Sequence, residues 1–480
     1  MSNDIKTYLG KRGYCIFKDK LTVKEMEDIR NNLMMAPYIP KSPANPEKFP
    51  VYRESIKKIY IPRFYGISMY GWPDEMRLEE PEKSNMKFIG ELRPYQNNIV
   101  STYHKGLEKG GGLLEVPCGR GKTVCALKIA ADIGLKTIVI VHKGFLLNQW
   151  IERIQQFIPN AKIGKIQGKI VDVEGKDIVI GMLQSLSMKE YPEELFSSFG
   201  LTIVDEVHHI AAEVFVRSLF KIVTKYVLGL SATMNRKDGL TKVFKMFLGE
   251  ILYKEKREGN DNVLVKAITY KSTDDEFNEV KYDFRGNPVY STMISKLCTY
   301  NPRSEFIIKV ITDIYNENTE QQIMILAHNK NLLKYLHDAI DSRNIAPVGY
   351  YIGGMKDTEL KKSELKKIII GTYAMASEAL DIKTLTTLLM ATPKTDITQA
   401  VGRILRTKDH TPLVIDIIDQ HDVFVNQWKK RKSYYKKENY KIISCESDQY
   451  NNIDYTVEYD PEKKNKKKIV NRKCLISLSN

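Results

Sequence analysis

Leu113-Leu114-Glu115-Val116-Pro117-Cys118-Gly119-Arg120-Gly121-Lys122-Thr123 runs from a short apolar stretch through a glycine turn into KTVCALKIAADIG (122–134), which has helical spacing. A buried strand, a tight loop and a helix N-terminus in that order form a phosphate cradle. The glycines let backbone amides turn inward around anionic oxygens, and the helix start adds partial positive charge. Lys122 is positioned to reach the β and γ phosphates of a nucleotide, and Thr123 to ligate Mg²⁺. Val116 stands where such a loop usually has its first glycine. A bare GxGKT can also be an ordinary surface turn; the flanking strand and helix favour the phosphate loop.

Downstream, LTIV (201–204) leads into Asp205-Glu206. Two carboxylates at the C-terminal end of a strand, in the same domain as a phosphate loop, fit a metal ligand and a base. Asp205 is expected to hold Mg²⁺, and Glu206 to orient and deprotonate the attacking water. An isolated Asp-Glu is also a common helix cap.

Short β-branched runs alternate with helical stretches on both sides. TIVIVH (137–142), DIVIG (177–181) and YVLGLS (226–231) read as buried strands, and FLLNQWIERIQQF (145–157) as a helix. A second series follows in QIMILA (322–327), PVGYYI (347–352), KIIIGT (367–372), LTTLLMA (385–391) and PLVIDI (412–417). Strands alternating with helices predict parallel sheets with crossover helices. The expected class is therefore α/β, with two tandem domains over 86–255 and 301–440. Residues 1–85, rich in Tyr and Pro, read as a small separate α+β module containing a helix over 20–33. Residues 256–300 are weakly patterned and read as a linker or insertion, and 441–480 as a charged tail.

Composition narrows the function. The 480 residues carry 74 Lys and Arg against 59 Asp and Glu, a net charge of +15. That excess suits a polyanionic partner, and equally a lysine-rich solubilising surface. No apolar run has the length of a membrane span and the N-terminus lacks a signal-peptide core, so an intracellular protein is expected. The 6 cysteines form no CxxC pair, which argues against a structural zinc site.

The order of motifs resembles the superfamily 2 helicases and translocases over about residues 90–420. PCGRGKT (117–123), DEVHH (205–209), SAT (231–233), GT…ALD (371–381) and QAVGRILR (399–406) stand as motifs I, II, III, V and VI. DEVHH and PCGRGKT look more like the XPB branch than the DEAD-box RNA helicases, and the plan, with a small N-terminal module and a motif VI of this form, is similar to that of UvsW and of the transcript-release helicases of large DNA viruses. MNRKDG (234–239) resembles that branch's Arg-Glu-Asp motif, with Lys237 where Glu is expected. The resemblance implies two RecA-like domains acting on one ATP with Mg²⁺. Gln96 is then the adenine-reading glutamine, with Arg93 beside it. Pro117, Cys118, Gly119, Arg120, Gly121, Lys122, Thr123 and Asp381 bind the nucleotide. Gln399, Arg403 and Arg406 complete catalysis from the second domain. His208, His209, Ser231 and Thr233 couple hydrolysis to motion. Nucleic acid is expected near His142-Lys143, Gln184-Ser185 and Thr372, through phosphate contacts that read little sequence. On a helix, 399, 402, 403 and 406 share one face.

DNA is the favoured substrate, with transcription or repair machinery as partner. An RNA helicase, or a binding scaffold with no ATPase, are the rival readings; the intact Lys122, Asp205 and Glu206 argue against the scaffold. Lys57, Lys58, Tyr60 and Arg63 are either a basic-aromatic nucleic-acid grip or solvated positions. KKRKSYYKK (429–437), after a helical run ending at Trp428, is either part of the nucleic-acid track or a solvated helix face.

Overall fold

The computed structural model describes residues 6–38, 46–117, 119–210, 212–234, 236, 238–255, 262–378, 382–405, 411–451 and 454–463. Cys118, Asp381 and Arg406 lie outside them, as do Lys237 and the tail from 464, and the side chain of His209 is not described. The chain divides into two units, Met1–Lys256 and Arg257–Asn480.

In the first unit an eight-stranded sheet has the order Ile170–Asp172, Ile163–Gln167, Ile178–Met182, Thr137–Val141, Leu201–Val204, Tyr226–Ser231, Gly111–Glu115, Ile251–Lys254. Every pairing is parallel except the outermost hairpin, Ile163–Gln167 with Ile170–Asp172. The central strands are buried along their length, as continuous Val/Ile/Leu runs require when helices cover both faces. Their carboxyl ends share one edge of the sheet, where the phosphate loop, Asp205 and His142 all fall.

The N-terminal residues form a five-stranded, mainly antiparallel sheet in the order Arg53–Glu54, Lys58–Ile61, Gly13–Phe17, Thr7–Gly10, Glu75–Met76. The helix Val23–Asn32 beside it is held by a Thr22/Glu25 capping box. The separate module expected over 1–85 is corrected here. Its Leu9, Tyr14, Ile59 and Ile61 join one apolar core with Leu219, Phe220, Val227 and Phe247 of the α/β domain. Arg63, read as a grip or a solvated position, is buried in the joint. Its guanidinium donates to Lys225 O at 2.8 Å and Thr224 O at 3.3 Å. Gly110, at φ +93°, makes the space: a Cβ there would lie 2.3 Å from Arg63 Nη2. Tyr60 is buried as well, and Lys58 packs over the rings of Tyr8 and Phe17.

The second unit holds another eight-stranded sheet, ordered Val348–Tyr351, Ile368–Thr372, Ile323–Ala327, Thr387–Met390, Leu413–Asp419, Leu264–Tyr270, Lys441–Glu446, Thr456–Tyr459. All pairings but the last are parallel. Two expectations fail. The supposed linker 256–300 contains Leu264–Tyr270, a strand flanked on both sides. The supposed tail from 441 supplies the next two strands. Buried ion pairs lock helices onto this sheet: Arg303 grips Asp419 in bidentate fashion at 2.6 and 2.9 Å, and Arg431 grips Asp416 at 2.8 Å twice. Arg431 and Tyr435 therefore leave the basic cluster 429–437 and face the core, while Lys429, Lys430, Lys436 and Lys437 stay exposed. The helix carrying them is continuous over Asp422–Lys437 and does not end at Trp428.

Candidate active site

The phosphate loop follows Gly111–Glu115 and opens the helix Lys122–Ile133. Gly119 and Gly121 both have positive φ, +80° and +78°, which only glycine adopts without strain. Gln96 braces the loop: its Nε2 donates to Arg120 O at 3.2 Å, and its Oε1 accepts from Arg93 N at 2.9 Å. A Cβ on Gly121 would sit 2.3 Å from Gln96 Nε2. Arg120 turns away from the loop, stacking over the Tyr95 ring at 3.7 Å and pairing with Glu255 through Nε at 2.7 Å.

Leu201–Val204 delivers the acidic pair to the same edge. Asp205 is buried, accepting from Trp150 Nε1 at 2.9 Å and from Glu206 N at 2.9 Å. Burial pushes its carboxyl up to about 6, the Glu206 charge adds to this, and Lys122 and the two hydrogen bonds oppose it. Glu206 has φ +48°, a left-handed conformation that is costly outside glycine and clusters at functional sites. That turn aims its carboxylate back at the loop, with Lys122 Nζ 3.1 Å from Oε1. Oε2 lies 3.3 Å from His208 Nδ1.

A relay runs on from His208. Ser231 Oγ donates to Thr233 O at 2.5 Å and lies 2.7 Å from His208 Nδ1. Ser231 Oγ thus joins the His208 ring to the Thr233 carbonyl. Arg236 Nη1 clamps the carbonyls of His208 and Ile210, each at 2.7 Å, and the same guanidinium pairs with Asp238. The stretch after Thr233 is thus bound to the loop after Glu206. The structure brings together Gln96, Lys122, Asp205, Glu206, His208, Ser231 and Thr233. Sequence reading missed the roles of Trp150, Tyr95, Glu255 and Arg236. Tyr95 stands between Arg93 and Gln96, and Arg236 lies within MNRKDG, so both had a signal; Trp150 and Glu255 had none.

Of the positions expected to meet nucleic acid, Gln184 Nε2 donates to His142 O at 2.9 Å, which joins two of them at the strand edge. Ser185 Oγ accepts from Gly168 N at 2.9 Å and so fixes the tip of the outer hairpin. In the second unit Thr372 ends its strand. Gln399 and Arg403 lie on the helix Thr398–Arg403, and Arg403 Nε donates to Ala376 O at 3.0 Å. This helix stops at Arg403, so the helical face expected over 399–406 is realised only that far among the described residues.

Residues 89–236 match the family model described as "Type III restriction enzyme, res subunit". A protein of Acanthamoeba polyphaga mimivirus, provisionally named an ATP-dependent RNA helicase, is 38% identical over 457 residues, spanning 92% of this chain and 87% of that protein. One from Invertebrate iridescent virus 6, provisionally named a helicase, is 29% identical over 386 residues, spanning 74% of this chain and 84% of its own. Among solved structures, T4 UvsW aligns with a TM-score of 0.36 at 18% identity, covering 92% of this chain and 100% of that one.

Proposed function

Because the chain belongs to the superfamily 2 helicases of large DNA viruses, and so is an ATP-dependent helicase that binds nucleic acid, we propose that it is a DNA-directed motor. In this reading it hydrolyses ATP at the Lys122–Glu206–Asp205 cluster to move along or separate duplex strands during transcript release or repair. The observation that carries the reading is the 3.1 Å contact between Lys122 Nζ and Glu206 Oε1, beside a buried Asp205. A phosphate chain entering the glycine loop offers Lys122 a stronger anionic partner. As Lys122 turns to it, Glu206 is released to take the proton of the attacking water. The His208–Ser231–Thr233 relay and the Arg236 clamp then transmit the change at Glu206 to the next strand end.

Thr123 and Asp205 offer a hydroxyl and a carboxylate, hard oxygens that fit Mg²⁺ alongside phosphate oxygens and water. The ion would neutralise charge on the β and γ phosphates. Arg403 and Arg406, with Gln399, are proposed to stabilise charge on the transferring phosphoryl group, for which a permanently charged, forked donor is suited.

The DNA preference draws on DEVHH and on the MNRKDG stretch, both of which resemble the XPB branch. The competing RNA reading draws on the name of the mimivirus relative. ATPase stimulation measured side by side with single-stranded DNA, duplex DNA, branched DNA and RNA decides between them. Greater stimulation by RNA than by any DNA would overturn the preference. In the same assay Lys122→Ala should lose turnover, and Glu206→Gln should bind ATP yet not hydrolyse it. Arg403→Ala should lower kcat by about 10³-fold or more with little change in nucleotide affinity. A Glu206→Gln protein turning over at the wild-type rate would remove the assigned base.

A further inference from the structure

The segment between the strand Leu264–Tyr270 and the helix Tyr290–Thr299 takes no part in the site above. Within it, Lys281–Val289 closes on itself as a hairpin. Val289 N donates to Lys281 O at 2.8 Å, Asp283 N to Asn287 O at 2.8 Å, and Gly286 N to Asp283 O at 3.0 Å. Tyr282 and Pro288 form an antiparallel bridge. One carboxylate oxygen of Asp283 accepts from both Arg285 N and Asn287 N, each at 2.9 Å. The only acid in the hairpin is therefore turned into its own backbone. Lys281 and Arg285 are left to set the charge outside.

The hairpin presents its rings to solvent. Phe284, at the tip, is 92% exposed, and Tyr282 is 61% exposed. The Arg285 guanidinium lies over the Phe284 ring at 5.0 Å. Scattered exposed apolar residues are ordinary, but two aromatics and a stacked cation on a hydrogen-bonded turn are a specific combination. The base of the hairpin is anchored at the carboxyl edge of the second sheet. Lys296 Nζ donates to Glu279 O at 2.7 Å, and the Tyr290 ring meets Phe424 edge-on. Tyr290 Oη also reaches Pro393 O at 3.4 Å, just beyond the strand Thr387–Met390. Thr372 lies on the same edge of that sheet.

We propose that the Lys281–Val289 hairpin is a nucleobase-stacking pin: Phe284 stacks on an unpaired base of single-stranded nucleic acid while Arg285 and Lys281 contact the adjoining phosphates. The proposal rests on the helicase reading and adds a contact outside the motifs. Every base offers a π face, so the pin grips without reading sequence. The turn's own hydrogen bonds fix the backbone that carries the ring before binding, which limits the entropy lost on capture.

The test titrates full-length protein into fluorescein-labelled oligothymidylate and oligouridylate and follows anisotropy. Phe284→Ala should weaken binding by about fivefold or more, the scale of one lost stacking contact. Phe284→Trp should restore it, and the new indole should be quenched as the oligonucleotide saturates. Because Phe284 is almost wholly exposed, neither variant should change the unfolding midpoint. Wild-type affinity in Phe284→Ala, or an unquenched indole in Phe284→Trp, overturns the pin and leaves the tip to a protein surface. Failure of the wild-type chain to bind either oligonucleotide or a duplex control would instead sink the nucleic-acid reading, and the pin with it.

Discussion

Asp205 is placed where its charge is least favoured, buried beside Glu206, and its carboxyl rises to about 6 from 3.8. The sign of the linkage follows from that direction. Below about pH 4 the group is protonated in both folded and unfolded chains. As pH rises through 6 the folded chain must take up the buried charge, and stability is lost across that window. Asp205→Asn has no such titration. Its unfolding temperature relative to wild type should climb between about pH 4 and 6 and level off above; a difference flat across that window would contradict the buried charge. GRGKT and Asp-Glu were legible because strand–glycine–helix and strand–acid orders are local patterns. Their supports were not. Trp150 and Asp205 stand far apart in sequence, and only the sheet order sets the indole over the carboxylate. The left-handed turn at Glu206 was equally invisible, since nothing in the residue type calls for it.

Among elements, the helix Arg63–Tyr70 is the joint between the N-terminal sheet and the α/β domain. The Arg63 guanidinium is so enclosed that burial lowers it to about 10. Arg63→Ala would leave the buried Thr224 carbonyl and the part-buried Lys225 carbonyl without their donor and open a void. A loss of about 2–4 kcal/mol is expected, read as a lower urea midpoint. A change under about 0.5 kcal/mol, typical of surface positions, would show that the joint does not depend on it. The basic-aromatic run 57–63 gave no sign of this, because burial of an arginine depends on partners at 224 and 225. The buried strands of both large sheets were legible within a residue or two as β-branched runs. Leu264–Tyr270 escaped because Lys266 interrupts the run; its stem is buried and its ammonium meets Glu317 at 3.0 Å. Lys441–Glu446 escaped because charged neighbours gave it the look of a tail, although Leu264–Tyr270 flanks it on one side.

At the scale of the whole molecule, the net charge of +15 predicts binding governed by counterion release. Affinity for a random-sequence duplex should fall at least tenfold between about 50 and 200 mM salt, as read by anisotropy. A flat response would mean that the basic excess is not the binding surface. The order of the second sheet also bears on how the chain is made. Leu264–Tyr270 leaves the ribosome before either of its neighbours, Leu413–Asp419 and Lys441–Glu446, has been synthesised. At about 5–20 residues per second, that strand waits on the order of ten seconds or more with both edges open. Throughout that interval the nascent chain is a template for mispairing, while the first unit already has all its strands. Yield of active protein in a host cell should therefore depend on chaperones that cover unpaired strands, and a premature stop before 441 should produce an aggregating fragment with an intact phosphate loop.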